Sequence, residues 1–156
     1  MKKVMFLIAG LFSGILLGLM LKAVQSFSGH KVYRLLLNAD YVPVLKEFRL
    51  SEFTEFVIHL VISAVLVVVL GIFWQYLSYR PNQSAYTARK VIAGTALISM
   101  VIGAALYPRT LLSSGGTPPI NSVPAWFWWL FAHSMYGAIS GVLIYWIQGK
   151  RNKEKG

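Results

Sequence analysis

The chain alternates between four long apolar segments and short polar connections. The apolar segments cover residues 4–22, 54–77, 90–107 and 125–148, and they are almost free of charged residues. A helix of about 20 residues, rising 1.5 Å per residue, crosses the roughly 30 Å hydrocarbon layer of a membrane. The pattern therefore predicts an all-α membrane protein, a four-transmembrane-helix bundle that forms one integral membrane domain over residues 1–156.

The first apolar segment follows Lys2 and Lys3 and could instead be a signal peptide. It is longer than the apolar part of a typical signal peptide, and no good small-residue cleavage site follows it. We therefore interpret it as a retained span.

The two longer connections carry different local patterns. Residues 28–37 begin with Ser28 as a possible helix cap and continue with a mixed face, which predicts a short interfacial helix in the first outer loop. Ser51 is the predicted N-cap of the second span. Residues 108–124 contain four prolines and a Ser-Ser-Gly-Gly run, which predicts a stiff loop without helix.

Composition and charge narrow the class of protein. Of the 156 residues, 56% are hydrophobic and 13% are charged, whereas soluble domains carry about 25% charged residues. The net charge is +10, but the basic residues are scattered over the ends of the apolar segments and do not form one basic surface. The predicted partner is therefore the lipid bilayer and not nucleic acid. With no cysteine, disulfides and thiolate chemistry are excluded.

The distribution of Lys and Arg predicts the orientation. Cytoplasmic connections of membrane proteins carry an excess of Lys and Arg. With both termini cytoplasmic, nine basic residues lie inside on short segments and six lie outside on longer ones. The inner residues are Lys2, Lys3, Arg80, Arg89, Lys90, Lys150, Arg151, Lys153 and Lys155; the outer residues are Lys22, Lys31, Arg34, Lys46, Arg49 and Arg109.

Small residues recur at helical spacing in three of the four spans. The first span carries Gly10, Gly14 and Gly18, the third carries Thr95, Ser99 and Gly103, and the fourth carries Gly137 and Gly141 with Ser140 beside them. Such faces let helix backbones approach closely. The ladder of the first span fits either packing against another span of the same chain or the seam of a homodimer.

The polar residues of the second span form one stripe. Glu52, Glu55, His59 and Ser63 are spaced at i, i+3, i+7 and i+11, and His133 enters the fourth span from the same side of the membrane. Ionisable groups at this depth usually face the bundle interior. The histidines would be either neutral and hydrogen-bonded between helices, or part of a proton-responsive or solute-contacting site open to the outside. Local metal-ligand motifs are absent from the sequence, and we predict no metal site.

The remaining candidate chemistry has simpler interpretations. Trp126, Phe127, Trp128 and Trp129 form a cluster that is typical of an aromatic belt at the membrane surface. The sequence has no G-x-S-x-G motif and no phosphate-binding loop, and nothing places a base against a serine nucleophile. We therefore predict no catalytic residues, no cofactor and no enzymatic activity.

Two short motifs resemble a known family. Gly115-Gly116-Thr117-Pro118-Pro119, then Pro124, then Phe131-Ala132-His133 resembles the G-x-T-P-P … P … F-G/A-H run of YagU-like bacterial inner-membrane proteins, and His59 to Ser63 is similar to the H-x-x-x-S start of that family's corresponding helix. Trp129 stands where some members carry an acidic residue, which weakens a carboxylate partner for His133. The resemblance implies a multi-pass protein of the bacterial plasma membrane and adds no mechanism.

Together these patterns predict a small, non-enzymatic plasma-membrane protein that acts through envelope contacts or pH-sensitive packing. Its partners would be the bilayer and either further copies of itself or an envelope protein. The alternative is a small solute or proton transporter that uses His59, His133, Glu55, Ser63 and Glu52 as an outward-facing polar site.

Overall fold

The computed structural model describes residues 2–38, 45, 50–78, 87–113 and 116–153, with side chains described up to residue 149. Within these residues, four helices are long and apolar enough to cross a membrane, which confirms the predicted all-α, four-span architecture. Lys46, Arg49, Arg80, Gly115 and Lys155, which entered the predictions above, lie outside the described residues. The helices are α1 (Lys2–Ser28), α2 (Val32–Leu37), α3 (Glu52–Ser78), α4 (Ala88–Leu106) and α5 (Val123–Lys153), with a 3-10 helix over Tyr107–Leu112.

Gly29, and not a serine cap, separates α1 from α2. Gly29 has φ +73°, a left-handed conformation that glycine adopts without steric cost, and its N–H donates to the carbonyl of Gln25 at 3.0 Å. The Ser28 hydroxyl donates to the carbonyl of Val24 and accepts the N–H of His30, which precedes α2, so it does not cap that helix. The N-cap position is Lys31, three residues after the predicted one, because α1 continues through Ser28.

The short helix α2 packs against the bundle. Its apolar side chains Val32, Tyr33, Leu35 and Leu37 are all buried, so α2 is a packed layer across one end of the bundle and does not simply lie at its surface. Buried apolar area of this kind stabilises a six-residue helix that would not form alone in water.

The second span begins at the predicted cap, whereas the predicted loop that follows the third span is partly helical. Ser51 caps α3, because its hydroxyl accepts the N–H of Thr54 at 3.2 Å. The prediction of a non-helical loop from residue 108 is wrong for its first part, since the 3-10 helix continues to Leu112 with Pro108 in its first turn. Proline is tolerated there because the first N–H groups of a helix have no partner within it.

The four long helices pack in the order α3, α1, α5, α4. We call the end that carries α2 and the 3-10 helix the α2 end, and the opposite end, which carries Lys2 and Gly149, the terminal end. Within the described part of the chain, α3 and α4 do not pack along their length. They meet at the terminal end, where the indole N–H of Trp74 donates to the Thr95 hydroxyl at 2.9 Å and the ring covers Gly94.

The small residues lie between the helices and the large aliphatic residues lie on the outside. Thr95, Ser99 and Ser140 are at most 1% exposed, and the glycines at the same faces are buried. The outer surface carries many exposed aliphatic side chains, as expected of a surface that faces lipid; they include Val4, Ile8, Leu19, Val61, Val65 and Val101.

Candidate functional site

A cavity of about 90 Å³ lies between α3 and α4, toward the α2 end. Both histidines predicted to lie in the membrane line it, His59 from α3 and His133 from α5. Tyr136 and Trp129 of α5 form one wall of the cavity. Leu35 to Asn38, at and just after the last turn of α2, close it at the α2 end. The unequal packing of the helices creates the space, because α1 and α5 hold α3 and α4 on opposite sides.

Each histidine uses one ring nitrogen on a backbone carbonyl. His59 Nε2 lies 3.1 Å from the oxygen of Gly14, and His133 Nδ1 lies 2.9 Å from the oxygen of Trp129. A carbonyl oxygen only accepts hydrogen bonds, so these nitrogens carry the hydrogen. In the neutral form, His59 therefore keeps Nδ1 and His133 keeps Nε2 as hydrogen-bond acceptors.

A chain of three hydrogen-bonding groups forms part of the floor of the cavity. The hydroxyl of Ser63, which is 3% exposed, donates to the carbonyl of Gly10 at 2.7 Å. Because that bond uses its hydrogen, Ser63 accepts from the hydroxyl of Tyr136 at 3.0 Å. This chain ties α1, α3 and α5 together at one level of the bundle.

The Ser99 hydroxyl, which also lines the cavity, is 1% exposed and has no hydrogen-bond partner. Buried hydroxyls without a partner are uncommon in folded proteins. The Ser99 oxygen would lie 2.7 Å from a methyl group added at Gly137, so the hydroxyl points into the contact between α4 and α5.

Charged groups lie at the mouth of the cavity. Glu55, one turn above His59 on α3, lines it together with Arg109 of the 3-10 helix. Leu17 of α1 and Ser99 of α4 contribute uncharged walls. The cavity is thus charged at the α2 end and neutral, but still polar, at its floor.

The cavity does not continue to the terminal end in this structure. Below it, the ring of Phe6 packs on Gly71, and the amide of Gln148 donates to the carbonyl of Gly71 at 2.9 Å. The Trp74–Thr95 bond closes the other side. Among the described residues, these contacts close the bundle below the cavity, and the charged groups of the cavity lie at the α2 end.

Glu52 lies outside this site, although the spacing of the polar stripe placed it there. Its carboxylate accepts from the Lys22 ammonium at 3.1 Å and from the Tyr33 hydroxyl at 3.3 Å. The Lys22 ammonium also lies 5.2 Å from the centre of the Tyr33 ring. Burial raises the pKa of Tyr33, so its hydroxyl remains a donor. Glu52 faces α1 and α2 because the first turn of α3 begins beside the last turns of α1.

The glycines of α1 lie at its contact with α3. A methyl group added at Gly10 would lie 2.6 Å from the Cα of Ala64, and one at Gly14 would lie 2.7 Å from the Ser63 hydroxyl. Gly18 is covered by the ring of Phe56. The ladder is therefore occupied within the chain, which fits the internal-packing interpretation.

The glycines of α4 and α5 lie at the contact between these two helices. Gly103 lies against the His133 ring, Gly137 against the Thr95 carbonyl, and Gly141 against the Cα of Ile92. Close approach at Gly103 is what brings the imidazole of His133 to the wall of the cavity.

The sequence did not separate Trp129 from its aromatic neighbours. Trp129 is 2% exposed, its indole N–H donates to the carbonyl of Gly103 at 2.7 Å, and its ring lies 4.3 Å from that of His133. It is a wall of the site and not part of a belt. Phe127, which is 59% exposed, keeps the outward position. The only indication of this inward position in the sequence was the helical period, which places residues 129, 133 and 136 on one face.

Tyr136 and Arg109 were also missed. Tyr136 lies three residues after His133 and could have been found from that spacing, whereas nothing in the sequence relates Arg109 to α3. Among the described residues, no three His, Cys, Asp or Glu side chains are grouped as metal ligands. The site offers imidazole, hydroxyl and indole groups on its walls, and a carboxylate and a guanidinium at its mouth.

Comparisons with known proteins add no relative: no family model, no curated protein and no solved structure matches this chain. The class that the fold defines is a small four-helix integral membrane protein. Any narrower statement depends on the chemistry of the cavity.

Proposed function

We propose that this is a non-enzymatic plasma-membrane protein whose helix packing responds to protonation of His59 and His133. One observation carries the proposal, namely that both rings line the same cavity. A second proton on either ring would add an N–H group and a positive charge in a space between membrane-spanning helices.

The described surroundings of the histidines offer little compensation for such charge. Among the described residues, the other ionisable side chains that line the cavity are Glu55 and Arg109 at its mouth and Tyr136 on α5. The one carboxylate in this set cannot balance two imidazolium ions and a guanidinium. Charge within the membrane is costly unless water or a counter-ion reaches it. Protonation would therefore favour a wider mouth, with α3 and α4 further apart at the α2 end.

Two further arguments support the proposed orientation of the protein and the proposed membrane. The excess of Lys and Arg near the termini predicts cytoplasmic termini, which directs the mouth to the outside. The resemblance to YagU-like proteins supports a bacterial inner membrane. Exposed apolar side chains at the α2 end, with Phe53 75%, Leu111 69% and Val123 75% exposed, would pass the change to an envelope protein or to a second copy of the chain.

The absence of cysteine makes the test direct. Spin labels at Phe53→Cys and Leu111→Cys would report the distance between α3 and the 3-10 helix by pulsed electron paramagnetic resonance in nanodiscs. We expect this distance to increase between pH 8 and pH 4 in the otherwise unchanged protein and to stay constant with His59→Ala and His133→Ala together. His30→Ala is the matched control, because His30 lies between α1 and α2 and does not line the cavity.

A distance that does not change with pH would refute the proposal, as would a change that survives the double substitution. The transport alternative is favoured by the same polar lining and is tested by proton flux in proteoliposomes. Flux equal to that of empty liposomes would exclude it. Transport would also require the closed terminal end to open.

A further inference from the structure

A groove separate from the histidine cavity lies between α1 and α3 at the α2 end. Leu19 of α1 and Phe53 and Phe56 of α3 form its apolar part, and Lys22 and Glu52 line its polar edge. Leu19 is 57% exposed and Phe53 is 75% exposed, so the groove opens on the surface that faces lipid. Among the described residues, the groove and the cavity share no lining side chain.

The groove has the polarity of a lipid in the leaflet at the α2 end. Leu19 comes three residues before Lys22 on α1, and Phe56 comes four residues after Glu52 on α3. Because α1 runs toward the α2 end and α3 runs away from it, each apolar side chain lies about one helical turn deeper than the charged one. Charge at the edge and apolar surface below it match a lipid headgroup and its acyl chain.

The two charged groups keep hydrogen-bonding capacity that the described residues do not use. Lys22 and Tyr33 both donate to Oε1 of Glu52, which leaves Oε2 as an acceptor. The Lys22 ammonium has three hydrogens and donates one of them to Glu52. The side chains of Lys22 and Glu52 are 57% and 49% exposed, so a second molecule has access to both charges.

Tyr33 holds this pair in a fixed order. It is 7% exposed, its ring centre lies 5.2 Å from the Lys22 ammonium, and its hydroxyl bonds to the Glu52 carboxylate. The packing of α2 against the bundle therefore positions one cation and one anion side by side. Arg34 lies within electrostatic reach of Glu52 but does not line the groove.

We propose that this groove binds a phospholipid with a primary-ammonium headgroup, of the phosphatidylethanolamine class. The phosphate accepts hydrogen bonds from the Lys22 ammonium, and the ammonium of the headgroup donates to Oε2 of Glu52. The upper part of an acyl chain lies against Leu19 and Phe56. The bound headgroup and the protein pair thus place opposite charges next to each other twice.

Charge complementarity selects this headgroup. A headgroup with a phosphate and no cation would bring a second negative charge beside Glu52, and like charges in contact repel. A trimethylammonium headgroup has no N–H to donate, so it would lose the charge-assisted hydrogen bond to Oε2, a bond about twice as strong as a neutral one. A primary ammonium with a phosphate satisfies both groups of the edge.

Photolabelling measures this binding in the intact chain. The probe is a phosphatidylethanolamine with a diazirine near the head end of one acyl chain, added in increasing mole fraction to protein in phosphatidylcholine nanodiscs at pH 7 and mapped by mass spectrometry. We expect saturable labelling of residues 18–22 and 52–56 despite the excess of phosphatidylcholine. Unlabelled phosphatidylethanolamine should compete, and phosphatidylglycerol with the same chains should compete at least threefold less well.

Substitutions at the polar edge separate the two charges. Glu52→Gln keeps an acceptor oxygen but removes the negative charge, and it should raise the probe fraction at half-saturation by about three- to tenfold, the value of one hydrogen bond. It should not weaken labelling by a phosphatidylglycerol probe, whereas Lys22→Gln should weaken both. Exposed ion pairs contribute little to stability, so both variants should fold. Lys31→Gln is the matched control for Lys22→Gln, because Lys31 is exposed at the same end and does not line the groove.

A second pair of substitutions tests the apolar part. Leu19→Trp fills the groove and should reduce the affinity for the probe about tenfold, equivalent to one decade in the dissociation constant. Ile8→Trp places the same ring on α1 outside the groove, where Ile8 is 59% exposed, and should leave the affinity unchanged. Equal affinities in these two variants would contradict the proposed position of the acyl chain.

Three results would overturn the proposal as a whole. Equal competition by phosphatidylglycerol would show that the positive charge alone is recognised, and an unchanged half-saturation in Glu52→Gln would show that the carboxylate takes no part. Labelling spread evenly over the apolar surface would indicate ordinary lipid contact. If Glu52→Gln fails to fold, the probe is changed instead: a dimethylated amine keeps one N–H and should still bind, a trimethylated amine should not, and equal binding of the two would refute the bond to Glu52.

Discussion

Replacing Gly10 by alanine tests whether the close contact of α1 with α3 holds the site together. The added methyl would lie 2.6 Å from the Cα of Ala64 and 2.9 Å from the Ser63 carbonyl, while carbon atoms pack best at about 3.5–4.0 Å. The nearest atoms belong to backbone, so they cannot turn aside. The two helices must therefore separate by about 1 Å to reach ordinary contact distance.

That separation would break two hydrogen bonds between the helices. The bond from Ser63 to the Gly10 carbonyl is 2.7 Å long, and the bond from His59 to the Gly14 carbonyl is 3.1 Å long. Both would exceed the limit of about 3.2 Å. Such bonds contribute about 0.6 kcal/mol each in membranes, and overpacking costs about 1–3 kcal/mol. We expect Gly10→Ala to reduce the free energy of unfolding by about 2–4 kcal/mol.

Steric trapping in bicelles measures this free energy without removing the bilayer. Gly149→Ala is the matched control, because Gly149 lies in α5 with no atom near its added methyl, and alanine favours helix by up to about 1 kcal/mol. If Gly10→Ala were as stable as the control, the packing argument would be wrong. If Gly10→Ala lowered only the association of two chains, the homodimer interpretation would be correct.

Three further predictions follow from the same contacts. Trp129→Phe should destabilise the protein by about 1 kcal/mol through loss of the buried bond to the Gly103 carbonyl, whereas Phe127→Leu on the exposed face should have little effect; equal losses in unfolding titrations would restore the belt interpretation. Trp74→Phe should remove the bond to Thr95 and lengthen the distance between spin labels at the terminal ends of α3 and α4, and an unchanged distance would show that this bond does not tie the helices. Reporter fusions at residue 115 should locate outside the cytoplasm, and a cytoplasmic signal there would reverse the orientation and turn the mouth of the cavity inward.

The structure also explains why the polar stripe of α3 has two uses. Ser63 and His59 both bond to backbone carbonyls of α1, which is possible because Gly10 and Gly14 allow the helices to approach. The same side chains line the cavity. Helix packing and the candidate chemistry are therefore coupled, and a change in the protonation of His59 would be felt directly at the contact between α1 and α3.

The sequence by itself determined that this protein lies in a lipid bilayer and how many helices span it. Four long apolar runs require helices within a bilayer, because only internal hydrogen bonds can satisfy the backbone there. The glycine ladders indicated which faces would be covered, since a face without side chains gains contacts only from a close neighbour. These are properties of single segments, which a sequence states directly.

The tertiary structure alone decided which helices became neighbours, and with that the site. No local pattern states that α3 and α4 stand apart while α1 and α5 fill the centre, yet this arrangement opens the cavity. In this arrangement Glu52 pairs with Lys22, Trp129 faces the interior of the bundle, and Arg109 lies at the mouth of the cavity. The physical reason is that lipid is as apolar as the helix surfaces, so burial alone does not select partners and the fit of small residues between backbones does.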